Sequence, residues 1–454
     1  MHSRSIGCLA AALATLVGLS LVSSRANAQV VQPAAGVAVD AKGVLQMQTF
    51  ADPTGQLTRE RVSAAKAALD PEVAQVSRLR KISLNRLEAA IRNRGGAVTD
   101  EMRNLAGLLR VRYVFFYPET KDIVIAGPAE GWMTDLSGRV VGISSRRPVV
   151  KLEDLVVALR AFPPQGKPTS LVGCSIDPTE EGLASMQQFL RSVGSRATPA
   201  DTAQIAYGLQ TSLGLQTVSV NGVSPRTNLA RILVEADYRM KLIGIGLERP
   251  PIRLVSYVDR ASPSMVNANA MERWFFVPDY QCVRVSEDEN AMELVGDGVK
   301  LVGEGEVVSA EGQRRAAGSN RASQAWVNAF TKQYSELAEK SPVFAQLRNV
   351  IDLVVTAAFL QEHDYYGKAE WNADILLDEK QLSVELHESP KQVGTAVNAL
   401  WKGNTLMTPV GGGVVIEAAR ALESDNRLPD EAGQVAKLHE ETKVELADGQ
   451  WWWD

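Results

Sequence analysis

The run Ser170-Leu171-Val172-Gly173-Cys174-Ser175-Ile176-Asp177-Pro178-Thr179-Glu180 changes character at its middle. Ser170 to Ser175 is small and apolar, and predicts a strand. Asp177, Pro178 and Glu180 then stand where an N-cap, N1 and N3 would satisfy or remove the unbonded amides of a first helical turn. A strand feeding straight into a helix makes the architecture α+β or mixed α/β.

Downstream, the pattern predicts that helix to about Val193, a second over Asp201 to Leu213, a strand over Gln216 to Val220 and a turn at Asn221-Gly222. Ser224-Pro225 opens a long helix in which Leu229, Ile232, Leu233, Ala236 and Met240 share one face. The i, i+4 pairs Arg231–Glu235, Glu235–Arg239 and Asp237–Lys241 predict a solvated opposite face. Leu242 to Leu247 reads as a strand.

From Ile252 to Val308 the period becomes two. Trp274 to Val277 is expected to pair with Cys282 to Val285, and Met292–Leu294 with Val299–Leu301 across Asp297-Gly298. Helices around Trp326–Leu337 and Phe344–Ala358 predict a helical hairpin in the C-terminal half. Short strands are expected around Val384, Val393 to Leu400 and Met407 to Ile416.

Upstream, residues 58–94 are helical in pattern, with Leu84, Leu87, Ala90 and Ile91 on one face and Gly95-Gly96 as the stop. A hairpin joins Val111–Tyr117 to Ile123–Ala126, and Leu152 to Phe162 forms an amphipathic helix. The expected organisation is an extended lead-in over 29–57, an N-terminal α+β domain over 58–162, a central α/β and β-hairpin domain over 170–310, and a helical hairpin with short strands over 320–454.

The first 28 residues read as an export signal: Arg4, an apolar run from Ile6 to Val22, and the small-x-small triplet Ala26-Asn27-Ala28. Cleavage after Ala28 removes two arginines and no acid, which moves the net charge from −5 to −7. An acidic chain argues against nucleic acid as a partner. No later segment reads as a membrane span, the best being Ile351 to Leu360, broken by Asp352 and Thr356. The composition, 45% hydrophobic and 22% charged over 454 residues, excludes a mostly disordered chain.

Candidate chemistry is sparse. Cys174 and Cys282 would pair as a disulfide in an oxidising compartment, or stay as two buried thiols. Ser63-Ala64-Ala65-Lys66 and Ser424-Asp425-Asn426 imitate motifs of penicillin-recognising enzymes, without the K-[ST]-G that completes them. Gly411-Gly412-Gly413 has no accompanying phosphate-binding lysine and reads as a turn or a close backbone approach. His363, His387 and His439 fall in no metal-ligand spacing, so neither a metal nor a cofactor is expected. Trp451-Trp452-Trp453 is the unusual feature. It reads either as a stacking platform for sugars or a partner protein, or as a last strand tucked into a groove.

Several segments carry a likeness: Ile82 to Ala90, Asp122 to Trp132, Gly173 to Thr179, Ala236 to Lys241, Arg273 to Pro278 and Leu347 to Asn349. Through them the chain resembles a family of secreted proteins known mainly from planctomycete bacteria and classed as a domain of unknown function. The resemblance covers most of residues 35–420. It implies secretion and one long co-folded unit, and brings no activity, cofactor or catalytic residue.

The expectation is therefore a secreted or periplasmic, non-catalytic binding or structural protein. Its partner would be an envelope protein or polysaccharide, met through Trp451, Trp452 and Trp453. The alternative is a periplasmic hydrolase whose site is assembled from distant residues.

Overall fold

In a computed structural model, which describes residues 36–194, 198–262, 270–308, 314–318, 320–398, 401–402, 405–406, 410–444 and 446–454, the strand Val172–Asp177 lies at the centre of a nine-stranded sheet. The signal read over 1–28 and its cleavage point lie outside the described residues. Val172, Cys174 and Ile176 are buried in register with Ile416, Val414 and Gly412 of the strand Val410–Ile416. Across the sheet the strands run Gly36–Val39, Val44–Gln48, Gln392–Gly394, Leu215–Asn221, Val172–Asp177, Val410–Ile416, Ala270–Pro278, Val299–Val308 and Arg314–Ala317. Two neighbouring pairs are parallel, Val44–Gln48 with Gln392–Gly394 and Ala270–Pro278 with Val410–Ile416, so the sheet is mixed. The glycine triplet is the close approach of two backbones. Gly412 has φ 147°, and a Cβ there would stand 1.8 Å from the Trp274 carbonyl oxygen.

A second, antiparallel sheet orders Val283–Val285, Ala291–Leu294, Tyr113–Tyr117, Asp122–Ala129, Ser77–Ser83 and Trp452–Trp453. It contains the expected hairpin, with Tyr117 opposite Asp122 and Lys121 at φ 58° in the turn. The helix Asn228–Gly244 packs on Val172–Asp177 and Val410–Ile416, while Pro342–Glu362 packs on Asn228–Gly244 and on Leu152–Ala161. Helix Arg321–Lys332 covers the strand Val299–Val308 and completes an aromatic core of Trp274, Trp326, Phe276, Phe330 and Phe344. The fold class is mixed α/β, as expected.

Several local expectations are corrected. The helical reading over 58–94 is interrupted by the strand Ser77–Ser83, because Arg80 gains buried partners there that a helix would not offer. Ala270–Pro278 pairs with Val299–Val308, and Val283–Val285 with Ala291–Leu294. The tight turn closes instead at Ser286–Asn290, where the Asp288 carboxylate accepts from the Ser286 hydroxyl and the Asn290 amide. The segment 279–282 crosses between sheets.

Leu242 to Leu247 is the end of a helix, closed by Gly246 at φ 76°, and not a strand. The caps are Thr179, accepting from Gly182 N, and Thr227, accepting from Ala230 N; Asp177 and Ser224 do not serve. The face read as solvated is interior, with Glu235, Asp237, Arg239 and Lys241 each 5% exposed or less. Helix Pro342–Glu362 is long and apolar enough to cross a membrane, with mean hydropathy 1.6, yet 94% of its apolar window is buried within the protein. Strands from all three stretches read as domains share the two sheets within one compact unit, Pro33–Asp454; 163–169 is a connection inside it, and Arg314–Ala317, at the second expected boundary, is itself a strand of the larger sheet.

Candidate functional site

The three tryptophans end the second sheet. Trp452 and Trp453 pair antiparallel with Ile82 and Lys81, and Ser83 N donates to Trp451 O at 2.9 Å. Trp451 is buried, and its two neighbours are half-buried. The tucked strand is thus the arrangement present, with Trp451 and Trp452 packed on the main core and Trp453 against the cluster of Phe115 and Tyr117.

Arg80 is the anchor. Fully buried, it donates from Nε and Nη2 to the two Asp454 carboxylate oxygens at 2.8 and 2.7 Å. Its Nη1 donates to Val73 O and Ala106 O at 2.9 and 2.6 Å. The guanidinium also stacks 4.5 Å from the Trp452 ring centroid, and Lys81 Nζ lies 5.7 Å from that of Trp453. Burial opposes ionisation of Asp454, but hydrogen bonds from Arg80 and Ser77 and the charges of Arg80 and Lys81 outweigh it and hold the carboxyl below its ordinary value.

A cleft of about 540 Å³ opens beside this strand, walled by the three tryptophans and by Asp70, Glu72 and Glu101. Trp452 Nε1 donates to the Glu101 carboxylate, and the Asp70 carboxylate accepts from Glu72 N at 2.8 Å. Indole surface beside several carboxylate acceptors is the chemistry that receives the apolar and hydroxyl faces of a sugar ring. The triplet stood out in the sequence by its oddness. Asp70, Glu72 and Glu101 carried no signal, since only the fold brings them to Trp452.

The remaining candidates are placed apart. Cys174 sits in the larger sheet and Cys282 beside the smaller one, both free and buried, so the disulfide alternative is not the one adopted. Burial pushes the Cys282 thiol up to about 12 and Cys174 well above its ordinary value, which disfavours the thiolate at both. Ser63 and Lys66 are exposed on helix Gln56–Ala68. His439 stacks on Phe115 and Tyr117 with Nε2 2.9 Å from Phe116 O, and His363 lies against Phe359 with Nδ1 3.3 Å from Glu289.

Among the described residues one group has the composition of a metal-binding set, Glu153, Glu385 and His387, whose ligand atoms lie within 4.8 Å of one another. Sequence reading missed it, because 232 residues separate its first two members.

No curated protein and no solved structure matches the chain. Residues 174–257, from the central strand through the helix Asn228–Gly244 to Tyr257, match the family described as Protein of unknown function (DUF1598).

Proposed function

We propose that this chain is a secreted, non-catalytic envelope or extracellular protein that binds polysaccharide through its tryptophan cleft. The observation that carries the reading is the shared wall of Trp451, Trp452 and Trp453 with Asp70, Glu72 and Glu101 around about 540 Å³. The export signal in the sequence supports the location, as does the resemblance to secreted planctomycete proteins. An extracellular binder suits the cleft, because stacking on indole faces and hydroxyl-to-carboxylate hydrogen bonds need no reacting group.

The test is a glycan array followed by tryptophan-fluorescence titration with the glycans retained. Saturable quenching that Trp453→Ala weakens at least tenfold, with the circular dichroism spectrum unchanged, is the expected result. Turnover of glycosidase, esterase, peptidase or phosphatase substrates, abolished by one substitution in a folded protein, would replace this reading with the hydrolase. Export is checked separately: the mature protein should begin at Gln29.

A further inference from the structure

A second cavity, of about 490 Å³, has Lys151, Glu153 and Glu385 in its wall. Glu153 stands in the first turn of helix Leu152–Ala161. Glu385 and His387 belong to an irregular segment whose backbone is tied down at several points. Arg160 Nη2 donates to Leu382 O at 2.6 Å, His387 N to Arg226 O at 2.9 Å, and Lys391 N to Gly43 O at 2.8 Å. The segment has no regular secondary structure and is nevertheless fixed.

One potential ligand atom from each of the three residues lies within 4.8 Å of the other two. Independently, His387 Nε2 is shielded from solvent and has no hydrogen-bond partner. A buried ring nitrogen without a partner is costly unless something occupies it. Around a tetrahedral ion with bonds of about 2.0–2.1 Å, ligand atoms stand roughly 3.4 Å apart, so closure over about an ångström is required. Glu385 is exposed and can supply it by changing rotamer. The positive charges facing the group are Lys151, whose Nζ is 2.9 Å from Glu153 Oε1, and Arg231. Lys151 holds Glu153 as a metal would, on a four-carbon stem that can swing away.

We infer that Glu153, Glu385 and His387 form a site for one divalent transition-metal ion of the zinc class. An imidazole nitrogen with two carboxylates suits zinc better than calcium or magnesium, which prefer oxygen-only shells. Three protein ligands leave room for a water. The ion would clamp the irregular segment to the start of helix Leu152–Ala161.

The experiment uses the untagged full-length mature protein, stripped with chelator and titrated calorimetrically with ZnCl₂, MgCl₂ and CaCl₂. Visible absorption is recorded with CoCl₂. The expected result is one zinc per chain, bound at least tenfold more tightly than magnesium or calcium, with cobalt bands typical of a tetrahedral site. Glu385→Gln, at an exposed position, and His387→Ala should each weaken zinc at least tenfold, whereas His363→Gln should not. Metal-free melting temperatures, compared with that of the parent, report whether each variant is folded. Absence of saturable zinc binding, binding that survives Glu385→Gln and His387→Ala together, or tighter calcium than zinc would each overturn the inference.

Discussion

Thr179 accepts from Gly182 N at 3.0 Å, while Asp177, two residues earlier, is still strand and pairs with Arg273 at 2.9 Å. The sequence has capping chemistry at both positions. The strand runs on because Ile176 buries completely opposite Gly412, and that moves the helix start past Pro178. Thr179→Ala should therefore cost about 1 kcal/mol in urea unfolding. The partly exposed Asp177–Arg273 pair predicts a smaller loss for Asp177→Ala.

His439 gives the residue scale a pH dependence. Burial lowers its pKa from 6.5 despite the Phe116 carbonyl and nearby acids, so the unfolded chain takes up the proton more readily than the folded one. Its stability contribution is full above about pH 6.5 and is lost as pH falls below it. His439→Gln should narrow the difference between urea midpoints at pH 7.5 and 5.5; an unchanged difference would count against this.

The helix Asn228–Gly244 shows at the scale of an element how much the sequence left hidden. Its apolar face was legible from Leu229, Ile232, Leu233, Ala236 and Met240, all buried as expected. The opposite charges looked like surface pairs because i, i+4 spacing is the same whether water or protein lies beyond. Here Lys241 Nζ meets Asp237 Oδ2 at 2.7 Å and Ile176 O at 3.3 Å inside the fold, while Glu235 bridges Arg139 and Arg239. Burial pushes Asp237 up to about 6 against the pull of Lys241. Removing one partner of a buried pair strands the other, so Lys241→Met should cost about 3–5 kcal/mol. Asp237→Leu with Lys241→Met should recover most of that loss in chemical denaturation, because neither charge is then left alone.

Across the whole molecule, legibility follows sequence distance. The hairpin Tyr113–Tyr117 to Asp122–Ala129 was readable because its turn and both strands are contiguous. The pairing of Ala270–Pro278 with Val410–Ile416 was not, since alternation tells which face is buried and is silent on the neighbour. The same reason hid both candidate sites, apart from the tryptophans. The boundaries at about 170 and 310 followed composition, yet the strand Val172–Asp177 needs Val410–Ile416 beside it. A fragment of residues 170–310 should therefore lack cooperative thermal unfolding by circular dichroism, while residues 29–454 unfold in one transition. A folded fragment would show that the shared sheet is dispensable.

The strand Val410–Ile416, wedged between Val172–Asp177 and Ala270–Pro278, leaves the ribosome 132 residues after Pro278. At roughly 5–20 residues per second, the two flanking strands wait on the order of ten seconds for the one that separates them. During that interval each offers an unpaired edge to other nascent chains. The order of synthesis thus makes this sheet close late, and favours handling by a holding chaperone until translation has passed Ile416.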